Sequence, residues 1–205
     1  VMTVSHRTMI AGAVVAMAWA AAGVRAHASC EGGSCDAAAT TAPIAPFEAM
    51  YAAHDDTPWF PFGDGGVELQ ARFVDPNTGL FALKLRGPPG ASLGVHRHFG
   101  NVIAYTIAGH WRYVEHDWVA KRGDSVMETP GSVHTLVIPE SSPENAEVIF
   151  YVWGALQFLA PDNTTGMLFD WRTLVHLHTA HCEAHNIDTL DLTRPRPKMD
   201  VPLQS

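Results

Sequence analysis

Two histidines one residue apart, His96 and His98 in the stretch GVHRHFGN, are the first residues whose types and spacing could bind a metal. On a β-strand, residues two apart point to the same face, so both imidazoles would face the same space. A third histidine, His134, follows the turn-forming TPG of ETPGSVH. Three neutral imidazoles from two strands suit Fe(II), Mn, Ni, Cu or Zn and leave coordination positions open for substrate and oxygen.

A His-x-His pair is weak evidence by itself, because the chain has 12 histidines and His176 and His178 form a second such pair. A single histidine is more often a satisfied core or surface residue than a ligand. The case for a site rests on glycines at fixed offsets from the three histidines: Gly94, Gly109, Gly123 and Gly131.

The elements that would position these histidines read as short strands. VELQARFVD at 67–75 alternates apolar and polar residues, the turn DPNTG follows, and LFALKLR continues as a second strand. Further strands are predicted in ASLGVHRH, NVIAYTIAG, HWRYVEHDWVA, SVMET, SVHTLVI and AEVIFYVWGALQFL. Short strands separated by turn signals predict an all-β closed antiparallel barrel or sandwich over residues 59–160.

The pattern becomes helical in residues 161–187. Apolar and histidine side chains recur there at spacings of three and four, which predicts one amphipathic helix lying across the barrel. The stripe contains Leu168, Trp171, Leu174, Val175, His178, His181, Cys182 and His185. Its last four members could form a second metal site. The alternative is a docking face that becomes polar towards its exposed end.

The first 28 residues differ from the rest of the chain. A basic start with Arg7, an uncharged apolar stretch and the sequence Ala26-His27-Ala28 predict a secretory signal, and hence a periplasmic or secreted protein. A single membrane anchor and a lipid attachment at Cys30 are the alternatives. The apolar run is short for a bilayer crossing, so we expect no stable membrane insertion.

Residues 29–58 are predicted to be a flexible linker, and the proline-broken residues 188–205 a loosely ordered tail. In an oxidising compartment Cys30 and Cys35 could pair or stay as idle thiols, leaving Cys182 over. The formal net charge of −8 makes the chain a poor binder of nucleic acid or anionic membranes, so we expect small-molecule partners.

The order of glycines and histidines resembles the two sequence motifs of the cupin superfamily. The first motif runs Gly, His-x-His, Glu, Gly, and the second runs Gly, Pro-x-Gly, His. This chain departs from them at two positions, with Val102 where the first has glutamate and Thr129 where the second has proline. The resemblance implies a single cupin (jelly-roll) β-barrel with a metal held by the histidines.

A narrower resemblance spans about residues 65–186. The segments AYTIAGHWRYVEHDWVAKRGD, PGSVHTLV and WGALQFL are similar to those of the 2,4'-dihydroxyacetophenone dioxygenase group of cupins. Members of that group are non-haem iron enzymes that use O2 to cleave a carbon–carbon bond of an aryl hydroxyketone. Carried over by position, the resemblance implies His96, His98 and His134 as iron ligands, with Glu115 as the fourth ligand.

A register argument supports Glu115. If residues 102–120 form a hairpin that turns over Gly109 and His110, Glu115 lies opposite Ala104, on the same inward face as Val102. Glu115 would then be a ligand or a catalytic base. Trp111 and Tyr113 would wall an aromatic substrate pocket together with Val102 and Ala104. The alternative is that Glu115 is a surface acid in a charged patch.

Three functions fit these features. The first is an exported iron dioxygenase that acts on an aryl hydroxyketone with O2. The second is a cupin that binds a metal or small molecule without redox chemistry, as a periplasmic sensor or carrier. The third is a different metal cupin enzyme. By analogy with other cupins, a homodimer is also expected.

Overall fold

The computed structural model of the chain describes residues 50–160 and 164–194. The chain divides into two units, Val1–Ile44 and Ala45–Ser205, and all described residues belong to the second. The predicted signal at 1–28, most of the predicted linker, the cysteines Cys30 and Cys35, and residues 195–205 therefore lie outside the described residues.

The described residues form two six-stranded antiparallel sheets and one helix. The first sheet contains β1 (Trp59–Phe62), β2 (Val67–Asp75), β3 (Leu80–Gly87), β10 (Ala146–Trp153), β5 (Val102–Ala108) and β8 (Ser125–Glu128), in that order. The second contains β12 (Thr165–Asp170), β11 (Ala155–Leu159), β4 (Ser92–His98), β9 (Val133–Val137), β6 (His110–Tyr113) and β7 (Ala120–Lys121), in that order. Helix α1 is Trp171–His185. The predicted all-β fold with a C-terminal helix is confirmed.

Alternation along the strands builds the core between the sheets. In β5, Val102, Ala104 and Thr106 are buried while Ile103 and Tyr105 are exposed. In β10 the buried positions also alternate, beginning with Ala146 and Val148. Because side chains two apart share a face, each strand contributes one apolar side to the core and turns the other side outward.

The predicted hairpin over Gly109 and His110 is wrong. Strand β5 pairs with β10 and β8 in the first sheet, whereas β6 pairs with β9 and β7 in the second. The chain changes sheet at Gly109, whose φ is +63° and whose added Cβ would lie 2.6 Å from the Ala146 Cα. A glycine suits this position because it adopts a positive φ and permits the close backbone approach.

The helix begins later than the sequence pattern suggested. Residues 165–170 form β12, which pairs with β11, and Leu168 is an exposed strand residue. The Asp170 side chain accepts hydrogen bonds from the backbone N–H groups of Arg172 and Thr173, so it is the N-cap of α1. Helix α1 buries Leu174, His178 and Cys182 and ends at Asn186, which adopts the left-handed conformation.

The chain on either side of the sheets is more tightly held than predicted. Residues 50–58, the end of the predicted flexible linker, are bonded to the first sheet, with Gln70 donating to the carbonyls of His54 and Thr57 at 3.0 and 2.8 Å. In the predicted loose tail, the Leu192 carbonyl accepts from the Val74 N–H at 2.9 Å and its side chain is buried. Within the described ranges, no helix is both long and apolar enough to cross a bilayer.

Candidate metal centre

His96, His98 and His134 meet in the interior, on two neighbouring strands of the second sheet. His96 and His98 lie on β4, and His134 lies on β9 directly opposite His96 in the strand register. One ligand nitrogen from each imidazole can be chosen so that all three lie within 4.8 Å of one another. All three side chains are buried. The structure therefore brings together the three predicted histidines as a group that could hold a metal ion.

Backbone hydrogen bonds fix the two strands around this group. The Gly131 N–H donates to the His98 carbonyl at 2.7 Å, and the His98 N–H donates to the Ser132 carbonyl at 3.0 Å. These bonds tie the TPG turn to the end of β4. The turn predicted from the sequence thus fixes the position of His134 along β9 relative to His98.

His96 is held in one tautomer as a neutral imidazole. Its Nδ1 lies 2.9 Å from the Gly94 carbonyl, which can only accept, so Nδ1 carries the proton and Nε2 is left for a ligand. Burial, together with the neighbouring His98, lowers the pKa of His96 to about 3. A neutral imidazole with a free Nε2 is the form that binds a transition metal.

Glu128 completes the group and was not predicted. It lies at the end of β8, and its Oε2 is 2.9 Å from the His98 Nε2 and 3.1 Å from the His134 Nε2. Burial acts to raise the pKa of Glu128, but its contacts with His134 and His98 outweigh burial, so the pKa lies well below its ordinary value. The carboxylate is therefore ionised beside the imidazoles.

The position of Glu128 follows from strand pairing. Glu128 is the cross-strand partner of Val102, the residue at the place where the cupin motif has glutamate. Cross-strand partners share a sheet face, so an acid at either position points to the same space. A sequence signal existed, since in SVME the residues Val126 and Glu128 share one side of the strand and Met127 points to the other.

Tyr113 supports both members of this group. Its ring stacks on His134, with centroids 3.7 Å apart and planes 8° apart. Its hydroxyl donates a short hydrogen bond to Glu128 Oε1. Burial, followed by the charge of Glu128, raises the pKa of Tyr113 well above its ordinary value, so the hydroxyl keeps its proton. One carboxylate oxygen is thus held by Tyr113 and the other faces the histidines.

The donor atoms fit a cation. Among the described residues, His98 Nε2, His134 Nε2 and Glu128 Oε2 are buried without a hydrogen-bond partner, although they lie close together. Buried polar atoms normally find partners. Two imidazole nitrogens that lie 2.9 and 3.1 Å from one ionised carboxylate oxygen have the arrangement expected of metal ligands, and their chemistry suits Fe(II), Mn or Zn.

Glu115 lies apart from this group. It is in the turn after β6 and is exposed, and its carboxylate oxygens accept from the Thr135 N–H and hydroxyl, each at 2.9 Å. Thr135 follows His134, but alternation turns it to the opposite side of β9. The register that pointed Glu115 inward is contradicted by the strand pairing, and its carboxylate instead caps the outside of β9.

A small apolar cavity of about 40 Å³ adjoins His96 and His98. Its walls include Phe62, Phe158 and Phe169, and His96 packs against Phe158 with ring centroids 5.7 Å apart. Of the four predicted pocket residues, Tyr113 lines this cavity. Trp111, Val102 and Ala104 are buried in the core and do not line it.

The histidines of α1 do not form a comparable group. Cys182 Sγ lies 3.8 Å from the His178 ring nitrogens, and both side chains are buried. His181 and His185 stack on each other separately, with centroids 4.1 Å apart, and His181 contacts Phe60. Within the described ranges, His96, His98 and His134 are the one set of three or more such side chains that converge closely enough to bind a metal.

Comparison with solved structures places this architecture among the cupins. An RmlC-like cupin protein from Ralstonia eutropha is 32% identical, with 73% of this chain and 96% of that chain covered and a TM-score of 0.68. A second protein from Ralstonia eutropha, of unknown function and with a cupin-like fold, is 26% identical over 66% of this chain and 85% of that chain, with a TM-score of 0.59.

An acetylacetone dioxygenase from Acinetobacter johnsonii shares the fold, at 19% identity over 66% of this chain and 94% of that chain, with a TM-score of 0.59. No curated protein matches the chain. The family model of the ChrR cupin-like domain matches residues 48–157, which contain all three histidines and Glu128. The chain therefore belongs to the ChrR cupin-like family of the cupins.

Proposed function

We propose that the chain is a non-haem iron dioxygenase that cleaves a carbon–carbon bond of an aryl hydroxyketone with O2. The observation that carries the proposal is the convergence of three buried histidines and an ionised Glu128 beside an apolar cavity. A site of this kind offers a metal with open coordination positions next to apolar side chains that an apolar substrate could contact.

The three imidazoles would hold the ion, and Fe(II) is the metal we assign. When bound, the ion would supply Lewis-acid and redox chemistry towards oxygen atoms of the substrate and O2. The protein's own part is to fix the ligands. His96 is oriented by the Gly94 carbonyl, and Tyr113 stacks on His134. Such supporting contacts preserve ligand geometry while substrate enters.

The cavity favours a neutral substrate with an aromatic or aliphatic body. Apart from the histidines, the lining found within the described residues consists of Tyr113 and apolar side chains. Phe62 packs edge-on against Phe169 at 5.4 Å and against Phe158 at 5.6 Å, so their rings offer flat apolar contact area. A hydroxyketone would place its ring there and its oxygens towards His96 and His98.

We assign Glu128 as the fourth ligand of the ion. Its Oε2 faces the histidine nitrogens and carries negative charge, whereas Oε1 is engaged by the Tyr113 hydroxyl.

The structural neighbour from Acinetobacter johnsonii, which shares the fold, is an acetylacetone dioxygenase. The substrate panel for this chain should therefore include acetylacetone beside hydroxyacetophenones. Fe(II) is the expected metal, and Mn, Ni, Cu and Zn are the other ions that this donor set could bind.

The test is metal analysis of protein purified without a metal-affinity tag, followed by oxygen-electrode assays with hydroxyacetophenones and diketones. We expect one equivalent of iron and oxygen uptake with at least one substrate. Stoichiometric iron with no uptake on any member of the panel would contradict the dioxygenase and favour a metal-binding cupin without redox chemistry. A His134→Ala variant is the control for adventitious metal.

A further inference from the structure

The cavity beside the histidines is smaller than the substrate that the site is proposed to take. Its volume is about 40 Å³. An apolar cavity of about 150 Å³ is large enough to bind benzene. The ring of an aryl ketone can therefore enter only if a side chain of the cavity wall moves out of its way.

Part of the cavity wall is exposed to solvent. Phe62, Leu93 and Phe158 are only partly buried, whereas the other described side chains of the wall are buried. We call these three residues the rim, because the cavity meets solvent where its wall is exposed. The rest of the wall belongs to the core, where close packing leaves little room for a side chain to move. The side chain that yields to a ligand therefore belongs to the rim.

Phe158 is the rim residue that lies beside the candidate ligands. In the strand register it is opposite His96, which in turn is opposite His134. Cross-strand partners share a sheet face, so Phe158 points into the barrel with the two histidines. Its ring centroid is 5.7 Å from that of His96. A ketone whose oxygens reach the histidines would bring its aromatic ring against Phe158.

The neighbouring strand β12 leaves the ring of Phe158 space to turn. A Cβ added at Gly166 would lie 3.7 Å from the Phe158 Cβ, so the glycine keeps that position free of a side chain. The pairing of β11 with β12 is also irregular between Gln157 and Leu159. Bulges in strand pairing occur next to active sites, where they redirect a side chain. Phe158 thus has room to rotate that the buried wall lacks.

We infer that Phe158 is the residue that determines which ligands the cavity accepts. Its ring turns outward when a neutral ligand with a single aromatic ring enters, and its bulk excludes larger ring systems. Phe62 packs against Phe158 with ring centroids 5.6 Å apart, so it contacts the ligand once Phe158 has turned. The inference rests on the proposed function, because that function supplies the aryl ketone as the ligand.

The test is calorimetric titration of the full chain, as purified and under nitrogen, with acetophenone and with 2-acetylnaphthalene. The two ketones differ by one fused ring, so the ratio of their dissociation constants measures the size limit of the cavity. Phe158→Ala should bind 2-acetylnaphthalene about tenfold more tightly than the unsubstituted chain does, with acetophenone binding changed by less than about threefold. Phe158→Leu, which retains more of the apolar packing, should shift the ratio in the same direction by less.

The matched control is Phe73→Ala on β2. Phe73 is also partly buried, but its ring packs against Tyr151 with centroids 6.3 Å apart, and it is not among the described residues that line the cavity. The same loss of a phenyl ring there should leave the ratio of the two dissociation constants unchanged.

Three outcomes overturn the inference. They are a ratio that stays constant in both Phe158 variants, an equal change in Phe73→Ala, and the failure of every variant to bind either ketone. A ratio shifted only by the Phe158 variants supports it. No iron chemistry enters this measurement, so a shifted ratio without oxygen uptake would uphold the role of Phe158 and still contradict the dioxygenase.

Discussion

The barrel interior and helix α1 each carry a cluster of metal-ligating residues, and only the barrel interior brings them to one point. On β4 and β9, His96 and His134 face each other directly in the strand register, and His98 follows on the same side of β4. On α1, His178 pairs with Cys182, and His181 pairs separately with His185. The histidines of the barrel come from two segments far apart in the chain, whereas the four residues of α1 all lie within 178–185.

The two regions differ in the number of backbone segments that contribute ligand side chains. Two paired strands can present side chains to a shared space from two sides, because partners in register lie about 5 Å apart. On a single helix, the side chains of residues i and i+4 are neighbours, but all side chains project outward from one axis and do not surround a common point. A further backbone must supply the remaining ligands, and for Glu128 that backbone is β8 of the opposite sheet.

The largest expected effect is the loss of a direct ligand. His134→Ala should reduce metal affinity by more than about 100-fold, beyond the usual loss for a residue that only supports a ligand. His181→Ala on α1 is the matched histidine control and should keep one equivalent of metal. Metal content after dialysis against a competing chelator measures both. If both variants retained the same amount of metal, the barrel histidines would be no more important for metal binding than those of α1.

The next prediction separates the two glutamates. Glu128→Gln removes the negative charge beside His98 and His134 and should weaken metal binding by about 10- to 100-fold. Glu115→Gln leaves the site untouched, because the Glu115 carboxylate bonds to Thr135 on the outer side of β9. Competition with a coloured chelator compares the pair. A larger loss with Glu115→Gln would restore the ligand set implied by the sequence resemblance.

A smaller effect is expected at Tyr113. Tyr113→Phe keeps the ring stacked on His134 but leaves Glu128 Oε1 without its donor, so metal affinity should fall by about tenfold. The metal-free protein should also lose about 1–3 kcal/mol of stability, the usual cost of an unsatisfied buried polar group. Urea unfolding and the visible spectrum of the Co(II)-loaded protein report the two effects. An unchanged Co(II) spectrum and stability would show that the hydroxyl positions nothing.

The smallest effect is expected on α1. Cys182→Ala removes a buried sulfur that contacts His178 and should lower stability by about 1 kcal/mol, a typical cost for one core substitution. Metal stoichiometry should stay at one equivalent. Titration with Zn(II) and urea unfolding provide the two readouts. A drop from two tightly bound equivalents to one would establish a second site on the helix.

Local patterns predicted much of the fold. VELQARFVD coincides with β2, and the TPG turn leads into the strand of His134 as expected. The alternation of apolar and polar residues and the turn-forming residues act over a few positions, so a single sequence is enough to recognise them. The three histidines were found for the same reason, because their strands and turns are locally defined.

The pairing of strands that are distant in the chain could not be predicted in the same way. NVIAYTIAGHWRY reads as a hairpin, but the chain changes sheets at Gly109 because the close approach of Ala146, nearly forty residues later, sets the path there. The wrong hairpin gave false support to Glu115, which the sequence resemblance had implied as the fourth ligand. The register argument placed Glu115 opposite Ala104, whereas the acid that shares this face is Glu128, the partner of Val102 on β8. The helix start was missed because Asp170, its N-cap, was read as part of the helix.

The pairing of Val102 with Glu128 has an evolutionary consequence. In this fold, an acidic side chain can reach the same point from either of two residue positions, one on each strand of the pair. Acids at both would set like charges opposite each other and repel. Aligned relatives should therefore carry an acid at the position of Val102 or at that of Glu128, with a neutral residue at the other. A family survey that scores only the motif position would miss chains that carry the acid at the position of Glu128, as this chain does.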